Sequence, residues 1–128
     1  MDINSRKILY VDDEHINLMF FALNFKNDFQ VVTAGSGAEA LKMIETDRDI
    51  QLVVTDYKMP DMNGLDLIRE IKQRHSAMVC LIITGFLIKD LEIDAESRAL
   101  VHGYILKPWK KQEVKALFSS ILEPGNQS

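Results

Sequence analysis

Leu52-Val53-Val54-Thr55-Asp56, with Met59-Pro60-Asp61-Met62-Asn63-Gly64 close behind, is the stretch on which the fold turns. Its apolar run is too short for a helix, rich in valine, and stops abruptly on a carboxylate, as a buried parallel strand does at its end. The turn formers that follow lead into a helix for which Asn63 is a suitable N-cap. Those residues already make the turn, so the Asp56 carboxylate is left over for chemistry.

Working outward, the same punctuation recurs. Ile8-Leu9-Tyr10-Val11 runs into Asp12-Asp13-Glu14, Val79-Cys80-Leu81-Ile82-Ile83 into Thr84, and Tyr104-Ile105-Leu106 into Lys107-Pro108. With a further run near 29–34, strands are expected at about 7–12, 29–34, 51–56, 79–84 and 103–107. Helical stretches separate them, which predicts a βα repeat and a parallel sheet. Right-handed crossovers then put helices on both faces. The carboxyl ends of all strands open on one edge, so Asp12, Asp13, Asp56, Thr84 and Lys107 should converge there.

The helices differ in clarity. The first, after Asp13, carries Ile16, Met19, Phe20, Leu23 and Phe25 and ends near Lys26-Asn27-Asp28. The second opens on Ser36 with Glu39 three residues on, a capping-box pattern, and sets Ala40, Leu41 and Ile44 on one face. The third turns Leu67, Ile68 and Ile71 inward. The last is the cleanest, with Val114, Leu117, Phe118, Ile121 and Leu122 in helical register before Glu123-Pro124-Gly125. Between Leu87 and Ala99 the pattern is weak: Leu91, Ala95 and Ala99 share a face, and Ile93 points elsewhere.

At 128 residues the chain is read as one domain over 1–128, with a core of about 7–122 and a short polar tail at 123–128. A net charge of −4 argues against nucleic-acid binding, which needs a basic face. The longest apolar run, Ala77 to Ile83, falls far below the roughly 20 residues of a membrane span. Cys80 is the single cysteine and lies inside an apolar run, so it reads as core packing in a reduced, cytoplasmic setting. His15, His75 and His102 show no metal-ligand spacing.

The candidate site has a physical logic. One acid at the start of a helix satisfies its dipole; Asp12 and Asp13 together, with Glu14 behind them, repel and need a counter-charge. Magnesium suits hard carboxylate oxygens and also takes water and phosphate. Asp56, beside such a cation and a lysine, is expected to stay ionised because opposite charges lower its pKa. It is then a nucleophile able to form an acyl phosphate. Thr84 offers a hydroxyl to a phosphoryl oxygen, and Gly85 leaves room beside it. Lys107, at the end of an apolar strand, is a compact point charge for Asp56 or an attached phosphoryl group. Tyr104 lies on the opposite face of its strand from Lys107.

Taken together, Asp12-Asp13, Asp56 with Met59-Pro60 and Asn63-Gly64, Thr84-Gly85, and Tyr104 with Lys107-Pro108 resemble the receiver domain of two-component response regulators. The resemblance runs from Lys7 to about Leu122. It implies a flavodoxin-like doubly wound (βα)5 sheet of order 2-1-3-4-5. It implies that Asp56 accepts a phosphoryl group from a phosphohistidine on a histidine kinase or histidine phosphotransfer protein, with Mg2+ as cofactor. Asp13 and Asp56 would ligate the metal directly, Asp12 through water, and the Lys58 backbone carbonyl would be a further ligand. Thr84 and Lys107 would hold the phosphoryl oxygens, and the Lys107–Pro108 peptide would be cis.

In such domains phosphorylation shifts a population: Thr84 moves toward the phosphoryl group and Tyr104 rotates into the vacated space. The fourth helix, fifth strand and fifth helix then present a changed surface to an output domain or target protein, and a homodimer through that surface is compatible with the pattern. The resemblance marks a regulatory phosphoacceptor rather than an enzyme. Lys58 and Phe86 would flank the phosphoryl group, and bulky Phe86 is expected to hinder attacking water. Trp109 after Lys107-Pro108 is similar to receivers joined to output domains or hybrid kinases. Two other readings compete. A small Mg-dependent phosphohydrolase with an aspartate nucleophile would place that residue at the first strand, which Asp12-Asp13-Glu14 only loosely imitates. A degenerate receiver-like interaction module would have lost one of the acids, the threonine or the lysine.

Overall fold

The computed structural model describes residues 6–86 and 93–122. Strands β1 (Lys7–Val11), β2 (Gln30–Ala34), β3 (Ile50–Asp56), β4 (Val79–Thr84) and β5 (Gly103–Leu106) alternate with helices α1 (His15–Phe25), α2 (Gly37–Thr46), α3 (Gly64–Arg74), α4 (Ala95–Arg98) and α5 (Lys111–Leu122). All neighbouring strands pair in parallel, in the order β2-β1-β3-β4-β5. This is the flavodoxin-like doubly wound arrangement, with each expected strand in place to within a residue or so.

Strand alternation divides the core into two layers. Leu9, Val11, Val53, Cys80 and Ile82 face one way and pack with Ala40, Ile44, Leu67, Ile68 and Ile71 of α2 and α3. Ile8, Tyr10, Leu52, Val54, Leu81 and Ile83 face the other way, against Phe21 and Phe25 of α1 and Val114 and Phe118 of α5. Cys80 is therefore core, as its position in the sequence indicated. Two caps also follow the sequence: Ser36 Oγ accepts from the Glu39 amide at 3.1 Å, and Asn63 Oδ1 from the Asp66 amide at 2.8 Å. At the far end of the sheet, Lys7 Nζ meets Asp47 Oδ2 at 2.6 Å and ties the start of β1 to the C-cap of α2.

Two helix faces differ from expectation. On α1 the inward residues are Leu18, Phe21 and Phe25, whereas Ile16, Met19, Phe20 and Leu23 are 77, 52, 57 and 59% exposed. The helix is apolar almost all round, so its sequence offers two candidate faces. Aromatic packing selects one, because Phe21 stacks on Tyr10 at 4.1 Å and Phe25 meets Phe118 at 5.4 Å. Near α4, Ile93, Ser97 and Val101 are buried while Ala95 and Ala99 are exposed, the reverse of the expected face. Small alanines lose to Ile93 and to a Ser97 hydroxyl that accepts from Arg69 Nη2 of α3 at 2.6 Å. Residues 87–92 of the weak segment, Leu91 among them, and the 123–128 tail lie outside the described residues.

Candidate functional site

The carboxyl ends of β1, β3, β4 and β5 frame an open cleft of about 500 Å³ lined by Asp13, Asp56, Lys58, Thr84, Phe86 and Lys107, among others. β3 brings Asp56 to its rim, and the backbone then folds back tightly: Tyr57 N–H donates to the Ile83 carbonyl at 3.1 Å, and Gly64 N–H to the Tyr57 carbonyl at 2.7 Å. A Cβ on Gly64 would strike the Asp56 carbonyl oxygen. The Asn63-Gly64 pair is therefore both a helix cap and a point of close approach behind the site.

β1 delivers the other acids. Asp12 is fully buried and Asp13 exposed. One carboxylate oxygen from each of Asp12, Asp13 and Asp56 lies within 4.8 Å of the others, a spacing that one hard cation could bridge. Asp12 Oδ1 also accepts the Glu14 amide at 3.0 Å, so part of its role is local, at the start of α1. Lys107 Nζ donates to Asp56 Oδ1 at 3.2 Å and stands 3.9 Å from Asp12 Oδ2. Its backbone amide donates to the Thr84 carbonyl at 2.8 Å, locking the ends of β4 and β5 together. The Lys107–Pro108 peptide is cis, in line with expectation.

Thr84 is buried, and its hydroxyl accepts the Phe86 amide at 3.0 Å. Phe86 is 48% exposed, with Lys58 Nζ 5.5 Å from its ring centroid. The two residues expected to flank the site thus stand together at the cleft wall, joined by a cation–π contact. Tyr104 packs toward the α2–α3 layer, away from Lys107. Its hydroxyl is buried with no hydrogen-bond partner among the described residues, and burial pushes its pKa up.

From the protein groups alone, Lys107 pulls the Asp56 pKa down, but burial outweighs it and the Asp12 charge adds to burial, so the Asp56 carboxyl is raised above its usual range; the lowering expected from the sequence counted a cation beside it as well. The side chain is only 14% exposed, and the sequence carried no measure of that burial. Sequence reasoning also passed over Tyr10, which is buried and donates to Asp12 Oδ2 at 2.7 Å. The signal was available: a tyrosine inside an aliphatic strand, two residues before Asp12, sits on the same strand face as that acid. The histidines stay outside the cleft; His75 joins Glu45 at 3.1 Å between α2 and α3.

A doubly wound α/β domain with three carboxylates, a hydroxyl and an ammonium at the carboxyl edge of its sheet has the groups that phosphoryl chemistry needs. The model of the response regulator receiver domain matches residues 8–119. The alkaline phosphatase synthesis transcriptional regulatory protein PhoP of Bacillus subtilis is 33% identical over 122 residues, covering 92% of this chain and 49% of that protein. The chain thus spans about half of that regulator's length. A response regulator receiver domain protein from Clostridium thermocellum has a similar crystal structure, with a TM-score of 0.84 at 30% identity, covering 94% of this chain and 96% of the other. So does the response regulator TrrA of Thermotoga maritima in complex with Mg(2+)-BeF, with a TM-score of 0.80 at 26% identity and coverage of 91% and 99%.

The chain belongs to the receiver domain family of two-component response regulators. Receiver domains are regulatory phosphoacceptors that bind Mg2+ at an acidic cluster, are phosphorylated by histidine kinases and signal to output domains; neither the hydrolase nor the inert-module reading is favoured. No helix among the described residues is long and apolar enough to cross a membrane.

Proposed function

We propose that Asp56 is the phosphoacceptor, that Mg2+ is held by Asp13 and Asp56 with Asp12 acting through water and the Lys58 backbone carbonyl as a further ligand, and that Thr84 and Lys107 hold the phosphoryl oxygens. The observation that carries this reading is the Lys107 ammonium lying 3.2 Å from Asp56 Oδ1 at the mouth of a cleft that Thr84 and Asp13 also line. An Asp56 oxygen attacks the phosphorus of a phosphohistidine, the phosphorus–nitrogen bond breaks, and the imidazole leaves with its electron pair. Mg2+ held by these acids would supply charge neutralisation on the phosphoryl oxygens. Lys107 does the same from the β5 side, and the Thr84 hydroxyl turns from its local bond toward the new group. Tyr104 then fills the space that Thr84 leaves.

The chain is one domain over 1–128, acts in the cytoplasm, and assists only its own phosphorylation and dephosphorylation. Its donor is a histidine kinase or histidine phosphotransfer protein. The carrier of that imidazole must cover the rim of the cleft, which Asn17 of α1 helps to line. The same helix presents Ile16, Met19, Phe20 and Leu23 to solvent, an apolar stripe that the fold itself leaves uncovered. The donor protein seats on that stripe. Output passes through the surface of α4, β5 and α5 to an attached domain, a separate target or a second copy.

The test is incubation with Mg2+ and a small phosphodonor. One equivalent of hydroxylamine-labile phosphate is expected, absent in Asp56→Ala. No adduct with any donor would remove the proposal, and sustained turnover of phosphate esters would replace it with hydrolysis.

A further inference from the structure

Tyr10 and Asp12 are alternate residues at the end of β1, so both side chains stand on the α1 side of the sheet. A tyrosine leaning along its strand spans about the distance between such positions, roughly 7 Å. Its hydroxyl meets Asp12 Oδ2 at 2.7 Å. That oxygen is also the one 3.9 Å from Lys107 Nζ, a residue that lines the cleft. The other, Oδ1, is taken by the Glu14 amide at 3.0 Å. The Asp12 carboxylate is thus clamped at both oxygens, once by backbone and once by a phenol.

The phenol is itself immobilised. Tyr10 is 2% exposed, and its ring lies nearly parallel to that of Phe21, 4.1 Å away with 10° between planes. Among the described residues neither of the other two acids has a phenol partner: Asp13 is exposed, and Asp56 is held by Lys107. Without a second donor, Asp12 could turn about its terminal torsion, which is broad for a carboxylate.

We infer that Tyr10 is a positioning residue for the metal site: its hydroxyl fixes the rotation of the Asp12 carboxylate so that the acidic cluster is preformed before the cation arrives. Outer-sphere hydrogen bonds of this kind orient metal ligands and contribute measurably to affinity. The inference rests on the Mg2+ reading above and adds to it a residue outside the ligand set. It also gives a reason for the only aromatic side chain in a strand of aliphatic neighbours.

Tyr10→Phe keeps the ring and its stack on Phe21 and deletes only the hydroxyl. Calorimetric titration of Mg2+ into the unphosphorylated protein is expected to show about tenfold weaker binding in Tyr10→Phe, the low end for outer-sphere contacts. Asp12→Ala separates positioning from packing, because a hydroxyl that acts through Asp12 has nothing to act on there. Adding Tyr10→Phe to Asp12→Ala should then leave the Mg2+ affinity unchanged. If Asp12→Ala does not fold, Asp12→Asn with Tyr10→Phe serves, and the loss caused by Tyr10→Phe should be smaller there because the amide bears no charge. Unchanged affinity in Tyr10→Phe alone overturns the inference while leaving the metal reading standing. An equal loss with and without the Asp12 carboxylate assigns the effect to packing and likewise overturns it. Absence of Mg2+ binding by the unaltered protein overturns the metal reading and the role of Tyr10 together.

Discussion

Lys107 Nζ stands between two carboxylates, 3.2 Å from Asp56 Oδ1 and 3.9 Å from Asp12 Oδ2, and offsets their charge. A second cation in the same cluster is repelled by it. Lys107→Met should therefore move two quantities in opposite directions. Mg2+ should bind more tightly, by up to about tenfold for removal of a like charge a few ångströms away at a partly exposed site. Phosphoryl transfer to Asp56 should slow by about tenfold or more, because a preorganised charge on the transferring oxygens is gone. Titration calorimetry and the rate of acyl-phosphate formation at saturating Mg2+ measure the two. A parallel fall in both would show that Lys107 holds the architecture of the site rather than the phosphoryl group.

Phe86 and Lys58 form a wall on one side of the cleft. A water molecule that hydrolyses the acyl phosphate has to approach in line with the phosphorus–oxygen bond of Asp56. On the proposed reading the 48% exposed Phe86 ring, with Lys58 Nζ 5.5 Å from its centroid, would narrow that approach. Phe86→Ala is expected to shorten the lifetime of the phosphorylated form several-fold. Decay of radiolabelled phosphate from the purified protein gives the number; an equal or longer lifetime would exclude a shielding role.

The apolar stripe of α1 concerns the donor, not the chemistry. Phe20→Ser or Ile16→Ser should lower the rate of transfer from a phosphohistidine protein by about tenfold, the size of an ordinary interface hot spot. Phosphorylation by a small donor should be unaffected, since neither side chain lines the cleft. Equal losses with both donors would mean that α1 has shifted the site itself.

Behind Asp56, Gly64 has no room for a side chain: a Cβ would meet the Asp56 carbonyl, with Thr55 Cγ2 and the Tyr57 Cα both 3.1 Å away. Two of these contacts are backbone and cannot swing aside. Gly64→Ala should destabilise the fold by about 1–3 kcal/mol, the usual range for overpacking, and displace Asp56 enough to slow its phosphorylation. Gly85, beside Thr84, is the control, because a Cβ there meets nothing within 4 Å. Gly85→Ala should stay within about 0.5 kcal/mol of the parent. Urea melts of the three proteins decide the point.

How much of this was legible in the sequence depended on what each signal reports. The strand ends were legible because apolar runs that stop on Asp12, Asp56, Thr84 and Lys107 have one arrangement that buries the runs and gathers the polar ends. The face of α1 was not, because Ile16, Leu18, Met19, Phe20, Phe21 and Leu23 leave no polar side to choose against, and only the partners Tyr10 and Phe118 break the tie. The face of α4 failed for the opposite reason, with too few large apolar residues to set a period. The opposing effect of burial on Asp56 was not legible, since charge partners can be named from a sequence but burial cannot. Tyr10 was missed for want of applying strand alternation to a polar tip.

The Lys7–Asp47 pair offers a pH-dependent test well away from the cleft. The bond from Lys7 holds the Asp47 carboxyl below its ordinary 3.8, against a smaller opposing effect of burial. A carboxyl depressed on folding contributes stability that is fully present above its unfolded pKa and lost as pH falls through its folded pKa. The ammonium is 13% exposed and the carboxylate 28%, so the contribution is modest, about 0.5–1 kcal/mol. Asp47→Asn keeps an oxygen for the Asp49 amide, now 3.1 Å from Asp47 Oδ1, and removes only the charge. Parent and variant should therefore differ by that amount at neutral pH in urea melts. The gap should narrow once pH drops below about 4, where the unfolded carboxyl is protonated, and close below the folded pKa. A gap that persists at the lowest pH where both remain folded would assign the loss to the C-cap of α2 instead of to the ion pair.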